Sequence, residues 1–460
     1  MSLGGVASAV FWGIVVLSFL VFVHEGGHYL AARACGMRVT EFFLGLPCRF
    51  RLSWRSRKTG TEYGVTPILL GGYTRICGME GADDELLAPC LALAQERGRI
   101  SATDVAAELQ IDEERAYRLL ASLADLASIE PWYDDEAGER PGQSTWPEHF
   151  QTVARDAGML TAYDRGHDFD APGFSPAGER RPIQGDPGEF LRAELARTYE
   201  GKGFWPRVAT LFAGPLVNLL CAFLVMVLAL TICGVGVVKN SNTLGEVEAG
   251  SLAEKAGLKA GDTLTQIGGE AVSDWKSLGT AIDDALSSGE DFQIAYTRDG
   301  ESHTTTVDVP DDGSATMLGV DAQTETYHPT VVEASRSAFA YGAEVATFAV
   351  RLIIPTHTVE TMQSTSSVVG ISTMASQAAQ AGPYELALFV AMISMSLGFM
   401  NLLPIPPLDG GKILIEVIQA VSRHRVSARA QAIVSYVGLA FFLVLFAFAL
   451  RNDFVNIILR

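Results

Sequence analysis

The chain lacks the features on which most small metal or disulfide scaffolds depend. Its six cysteines (Cys35, Cys48, Cys77, Cys90, Cys221 and Cys233) form no CxxC pair, and two of them sit in an apolar run. This argues against a zinc ribbon and a disulfide framework, so free thiols are expected. No basic residue precedes the first apolar run and no good cleavage site follows it, which argues against a removable leader. Charge is scarce, at 19% of residues against 48% hydrophobic, and the mean hydropathy is positive. Those values exclude a disordered or fibrous chain and suggest a membrane protein carrying hydrophilic domains. A formal charge of −19 over 460 residues is no nucleic-acid signal, because phosphate binding needs clustered Lys and Arg.

The acidity is local. Residues 83–200 hold 25 acids against 11 bases, and residues 239–330 hold 17 against 5, leaving a basic, apolar remainder. That remainder contains four apolar runs: Gly4 to Val23, Val208 to Val238 (interrupted by Gly214-Pro215), Tyr384 to about Val421 (broken by NLLPIPPLDGG, Asn401 to Gly411), and Gln431 to Leu450. The first is about 20 residues long, enough to cross a hydrocarbon layer of roughly 30 Å. Basic residues follow the first run (Arg33, Arg38, Arg49, Arg51), precede the second (Arg192, Arg197, Lys202, Arg207) and join the third to the fourth (Arg423, Arg425, Arg429). Four spans with both termini outside put all three connections in the cytosol. Residues 34–207 are then cytosolic and 239–383 external. Val331 to Ile354 is apolar but carries Glu333, Arg336, Glu344 and Arg351, the pattern of an amphipathic helix lying on the outer surface.

The first run ends in His24-Glu25-Gly26-Gly27-His28. On a helix, positions i and i+4 lie about 40° apart, so both imidazoles face one way and suit a single zinc ion. Glu25 is then placed to take a proton from the attacking water. Such residues beside a membrane span are costly and functional by default. Zinc needs a third ligand, and Asp409, in the broken third run, is the outstanding acid of the apolar core. Irregular backbone at membrane depth is tolerated where it lines a wet cavity. An alternative role for Asp409, the N-cap of a helix starting near Gly411, stays open.

Together, HEGGH, GTEYGVTPILLGGYTRI (Gly60 to Ile76), FAGPLVN (Phe212 to Asn218) and NLLPIPPLDGG, in that order, resemble the site-2 proteases. These are intramembrane zinc metalloproteases, and the likeness is greatest to the bacterial RseP (regulator of sigma-E protease) type. It covers roughly residues 1–80 and 200–460. The resemblance implies Zn2+ as cofactor, His24, His28 and Asp409 as its ligands, and Glu25 as general base. It further implies that Asn401 and Asn218 orient substrate or stabilise the oxyanion; interhelical hydrogen bonding is their alternative role. Residues 60–76 read as a membrane-associated hairpin with a Gly71-Gly72 turn, whose Gly71, Gly72 and Tyr73 would pair with unwound substrate backbone. The implied substrates are single-span membrane proteins, cut inside the bilayer as the second step of regulated intramembrane proteolysis, for example an anti-sigma factor or signal-peptide remnants. The implied location is a bacterial inner membrane.

Two hydrophilic blocks complete the expected fold. Residues 239–330, with GSLAEKAGLKAGDTLTQIGGEAV (Gly250 to Val272), resemble one PDZ domain, in which Gly257, Gly261 and Asp262 belong to a turn. A peptide or chain terminus is its expected partner, or it acts as a size filter; RseP-type proteins have two such domains. Residues 83–131 resemble a winged helix-turn-helix, with Ser101 and Asp112 as N-caps. Its Glu108, Asp112, Glu113 and Glu114 favour a cytosolic protein partner over DNA. Residues 132–200 read as a flexible acidic linker. The fold class expected is therefore a polytopic α-helical membrane protein with spans in 1–33, 201–238, 384–422 (broken at LDG) and 431–451. It adds a hairpin region in 34–82, an external PDZ domain, a cytosolic winged-helix-like insert and an amphipathic surface segment over 331–383. Rival readings are a membrane-anchored PDZ/winged-helix scaffold with a relic metal site, and a zinc peptidase acting on soluble substrates at the membrane surface.

Overall fold

The computed structural model describes residues 3–79, 84–134, 139, 147–310, 317–363 and 365–458. In chain order the elements begin with α1 (Leu3–Ala34), β1 (Val39–Leu44), β2 (Leu52–Arg55), β3 (Glu62–Val65) and β4 (Gly72–Ile76). The insert contributes α2 (Leu87–Arg97), β5 (Arg99–Ser101), α3 (Ala102–Leu109), α4 (Glu113–Asp125), β6 (Ile129–Trp132), β7 (His149–Thr152) and α5 (Pro187–Leu195). After α6 (Phe204–Cys233) come β8 (Val235–Val238), β9 (Leu244–Val247), α7 (Leu252–Lys255), β10 (Thr263–Ile267), β11 (Glu270–Ala271), α8 (Trp275–Ser288), β12 (Phe292–Arg298), β13 (Glu301–Val307), β14 (Val320–Ala322) and β15 (Thr324–Tyr327). The chain closes with α9 (Val331–Ile353), α10 (Pro355–Gln363), α11 (Val368–Ala381), α12 (Pro383–Asn401), α13 (Asp409–Ser422) and α14 (Ala428–Ile458). Residues 1–226 and 336–460 form one compact unit and residues 227–335 a second.

Among the described residues four helices are long and apolar enough to cross a membrane: α1, α6, α12 and Arg429–Val455 of α14. They overlap the four apolar runs, although the third span stops at Asn401 and α13 follows the break as a separate helix, and the protein is an integral membrane protein. Their outward faces carry large apolar side chains such as Phe11, Phe19, Leu224, Leu443 and Phe446, as a lipid solvent requires. All six cysteines are free thiols.

The 331–383 segment folds into helices that pack one face on the spans. In α9, Ala338 and Leu352 are buried, Phe339 meets Phe223 of α6, and Gly342 lies against Met395 and Phe399 of α12. In α11, Ser376 bonds Ser8 of α1 at 2.7 Å, and a Cβ on Gly13 would stand 2.1 Å from Ser372 Oγ. Small residues at these crossings let backbones approach closely.

The expected 60–76 hairpin is absent. β3 and β4 do not pair with each other; β1 lies between them in a four-stranded sheet of order β2-β3-β1-β4. β1 runs parallel to β3 (Phe42 opposite Tyr63) and antiparallel to β4 (Phe43 opposite Tyr73). Gly71-Gly72 is no turn: the Gly71 carbonyl accepts from Gly45 N at 2.7 Å, and Gly72 opens the edge strand β4.

The insert runs helix–strand–helix–helix–strand–strand, with an antiparallel sheet of order β5-β7-β6 packed on α2, α3 and α4 through Leu91, Ile100, Val105, Leu120, Leu123 and Phe150. Ser101 and Asp112 cap α3 and α4 as expected. The 132–200 stretch is not a flexible linker over its described residues. Three of its charged side chains, Arg155, Asp164 and Glu194, are buried in one network. Arg38, 1% exposed, donates to both Asp164 oxygens at 2.8 and 2.7 Å and to Glu194 at 2.8 Å, and Arg155 donates to Glu194 at 2.9 Å. Burial alone would raise the Glu194 pKa, but Arg38 and Arg155 hold it far below the usual carboxylate range. Its stabilisation is therefore present above the ordinary glutamate range and lost as pH falls below it. Arg38 follows α1 and precedes β1, so the network ties the insert to the root of the helix bearing the histidines. Arg38→Met leaves buried carboxylates short of a partner and is expected to cost about 3–5 kcal/mol. The loss would be read as a lower Tm and faster proteolysis within 147–200.

The second unit has a four-stranded sheet of order β11-β10-β12-β13 under α8, with Leu264, Ile267, Leu278, Ile282 and Ile294 in its core. Gly257 and Gly261 take φ of 78° and 89°, the left-handed region that favours glycine. The turn they form presents buried Asp262 to Lys259 N at 2.8 Å and Arg298 Nε at 2.7 Å.

Candidate active site

His24 and His28 stand one turn apart on α1, and both are 8% exposed. Their Nε2 atoms are 3.2 Å from each other and 3.1 and 3.3 Å from one oxygen, Oδ2 of Asp409. A tetrahedral zinc with bonds of 2.0–2.1 Å has ligand atoms about 3.3 Å apart. The three atoms therefore already stand at three corners of such a polyhedron, and among the described residues no fourth His, Cys, Asp or Glu joins them. The remaining corner suits a water or a substrate oxygen.

The surroundings hold the His28 ring in place. Its Nδ1 donates to the Thr210 carbonyl at 2.8 Å, so the proton sits on Nδ1 and Nε2 is bare toward the cluster. A Cβ on Gly214 would lie 2.3 Å from that Nε2, and a Cβ on Gly27 would lie 2.5 Å from the Ala213 carbonyl. The two glycines let α1 and α6 close on each other and leave a hollow for His28 Nε2.

Asp409 is the first residue of α13, and Leu408 occupies the N-cap position, so the capping role does not apply. Its neighbours hold it in place. A Cβ on Gly410 would meet the Leu402 carbonyl at 2.2 Å, one on Gly411 the Pro406 nitrogen at 2.1 Å, and one on Gly438 of α14 the Pro406 carbonyl at 1.6 Å. The 402–408 loop is thus clamped between α13 and α14. Two turns along α13, buried Glu416 accepts from Tyr199 Oη at 3.0 Å and pairs with Arg207 at 3.1 Å.

Glu25 is half-buried and stands apart from the ligand trio. It faces β4: the Thr74 hydroxyl donates to the Glu25 carbonyl at 3.1 Å, and a Cβ on Gly72 would lie 3.5 Å from Glu25 Cγ. Gly72 therefore permits close approach of the edge strand to the helix. Tyr73 instead points into the sheet, stacked on Phe43 and donating to Glu41 at 2.8 Å. Gly71 lies against Leu46. Asn218 is wholly buried, its Nδ2 3.3 Å from His24 Nδ1. Asn401 ends α12, half-buried, and no hydrogen bond joins it to the trio. Sequence reasoning missed Thr210 and Gly214, although the Gly-Pro interruption of an apolar run marked their neighbourhood.

Residues 12–445 match the model of peptidase family M50. The chain belongs to that family, the site-2 proteases. As a member it is a peptidase, and the scaffold with a relic site is not favoured. The match takes in HEGGH and Asp409 alike. Among similar proteins are the regulator of sigma-W protease RasP of Bacillus subtilis, 28% identical over 97% of this chain and 98% of its own, and a putative zinc metalloprotease of Lactococcus lactis, 26% identical over 96% and 97%. The zinc metalloprotease RasP of Shouchella clausii is 26% identical over 96% and 97%.

Proposed function

We propose that the protein is a zinc endopeptidase that cleaves single-span membrane proteins within the bilayer. The observation that carries this is the convergence of His24 Nε2, His28 Nε2 and Asp409 Oδ2 within 3.3 Å, at the end of one apolar helix and beside the break between two others. These three residues would hold zinc, which supplies Lewis acidity for the scissile carbonyl and lowers the pKa of water to about 7. Glu25, one residue from His24 and outside the ligand set, takes the proton of the attacking water and passes it to the leaving amide nitrogen. Asn401 orients the substrate carbonyl from the end of α12.

A helical substrate hides its amides in its own hydrogen bonds and must unwind before it is cut. β4 ends its sheet and packs its Gly72–Thr74 face on α1 beside Glu25. Its edge offers backbone partners to an extended segment within reach of the base. Gly71 and Gly72 act here through backbone; Tyr73 braces the strand.

The sigma-W regulator named among the relatives suggests an anti-sigma factor as substrate, cut after an ectodomain has been removed. The second unit is read as a PDZ domain receiving extended chain ends, and residues 84–131 with β7 as a winged-helix module for a cytosolic protein. The basic connections place 34–207 in the cytosol of a bacterial inner-membrane protein with both termini outside. The test is cleavage of a reconstituted single-span substrate: a zinc chelator should abolish it and added zinc restore it. Undiminished cleavage by metal-stripped protein would overturn the proposal.

A further inference from the structure

Thr210, Gly214 and Asn218 are spaced by four along α6 and form one stripe. That stripe meets the His24/His28 stripe of α1. The Thr210 carbonyl takes the Nδ1 proton of His28, Gly214 makes room for its Nε2, and the Asn218 amide lies 3.3 Å from Nδ1 of His24. His24 thus meets a polar partner on α6 where His28 meets one.

The amide's contact has a defined chemical consequence. Its nitrogen faces His24 Nδ1, while its oxygen is buried with no hydrogen-bond partner among the described residues. An N–H donor facing Nδ1 requires that nitrogen to be bare. The imidazole proton would then sit on Nε2, the atom aimed at Asp409 Oδ2 and His28 Nε2, and would block a metal. A half-turn of the amide exchanges its two ends, and the hydrogen-bond network decides between them. With Oδ1 toward His24, the imidazole donates from Nδ1, the stranded oxygen gains its partner and Nε2 is free. The backbone beneath is held by Ser394 Oγ of α12, which donates to the Asn218 carbonyl at 2.9 Å.

We propose that Asn218 is a positioning residue for the metal site: its side-chain oxygen accepts from His24 Nδ1 and so sets the tautomer and ring angle of that ligand. This role differs from contact with substrate or oxyanion, and it rests on the metal-site reading given above. It predicts an effect on metal affinity in the absence of any substrate.

The test uses the purified full-length chain and zinc alone, with affinity measured by competition against a chromogenic chelator. Asn218→Leu, which removes the acceptor, should weaken zinc binding about 10–100-fold. Asn218→Asp, which offers only acceptors, should stay within about threefold of wild type, since hydrogen bonds from the imidazole to a carboxylate are at least as strong. Should Asn218→Leu not give monodisperse protein, Asn218→Ala carries the same expectation. Wild-type affinity in the Leu or Ala variant would overturn the proposal, as would an Asp variant weakened as much as Leu. Failure of the wild-type protein to bind zinc would instead overturn the underlying metal-site reading.

Discussion

Glu25→Gln is expected to leave one zinc bound per chain and to lower substrate cleavage by about 10²–10⁴-fold, the usual contribution of a positioned acid–base group. The substitution keeps the shape of the side chain and removes its capacity to take a proton. It spares the ligand set, because His24, His28 and Asp409 converge on one another without Glu25. Glu25 faces β4 instead, where an extended substrate would lie. Zinc content and turnover measured on the same preparation check both halves. Full turnover would remove Glu25 from the chemistry, and loss of zinc would make it part of the metal site.

Gly214→Ala is expected to weaken metal binding strongly without unfolding α6. Alanine is a better helix former than glycine by about 1 kcal/mol, so propensity alone favours the variant. Yet the added methyl would stand 2.3 Å from His28 Nε2, and the imidazole must leave its place or α6 must move away. Either displaces a ligand, and zinc affinity should fall by at least about 100-fold, the upper end of what losing a ligand's supporting partner costs. Gly26→Ala is the control. It lies inside the same HEGGH motif, but none of the described residues approaches its Cβ position within 4 Å, so near-normal zinc binding is expected. Equal affinities for the two variants would show that the close crossing of α1 and α6 does not shape the site.

The convergence of His24, His28 and Asp409 was legible because its logic is local. Two histidines four apart on a helix must share a face, and an acid in a broken apolar run has few other uses. Span lengths were legible for the same reason: they depend on hydropathy over one helix. Pairing between distant segments was not. The Gly71-Gly72 pair looks like a turn, but β1, some 30 residues earlier, inserts between the two expected hairpin strands. Composition likewise counts the acids of 132–200 without showing that Glu194 and Asp164 close on Arg38 far upstream. The most elusive contribution was that of Thr210, which acts through its backbone carbonyl. Any residue type supplies that group, so its side chain gives no sign of it.

Hydrolysis inside a membrane span, by a metal held on His24, His28 and Asp409, is the reaction expected of this site. Its most direct test is the mass of the products released from a reconstituted single-span substrate by wild-type protein and by Asp409→Asn. Wild type should cut within the apolar segment, and the variant should lose at least about tenfold in cleavage and zinc affinity. A cut confined to the hydrophilic flanks, or an Asp409→Asn protein that cleaves at the wild-type rate, would contradict it.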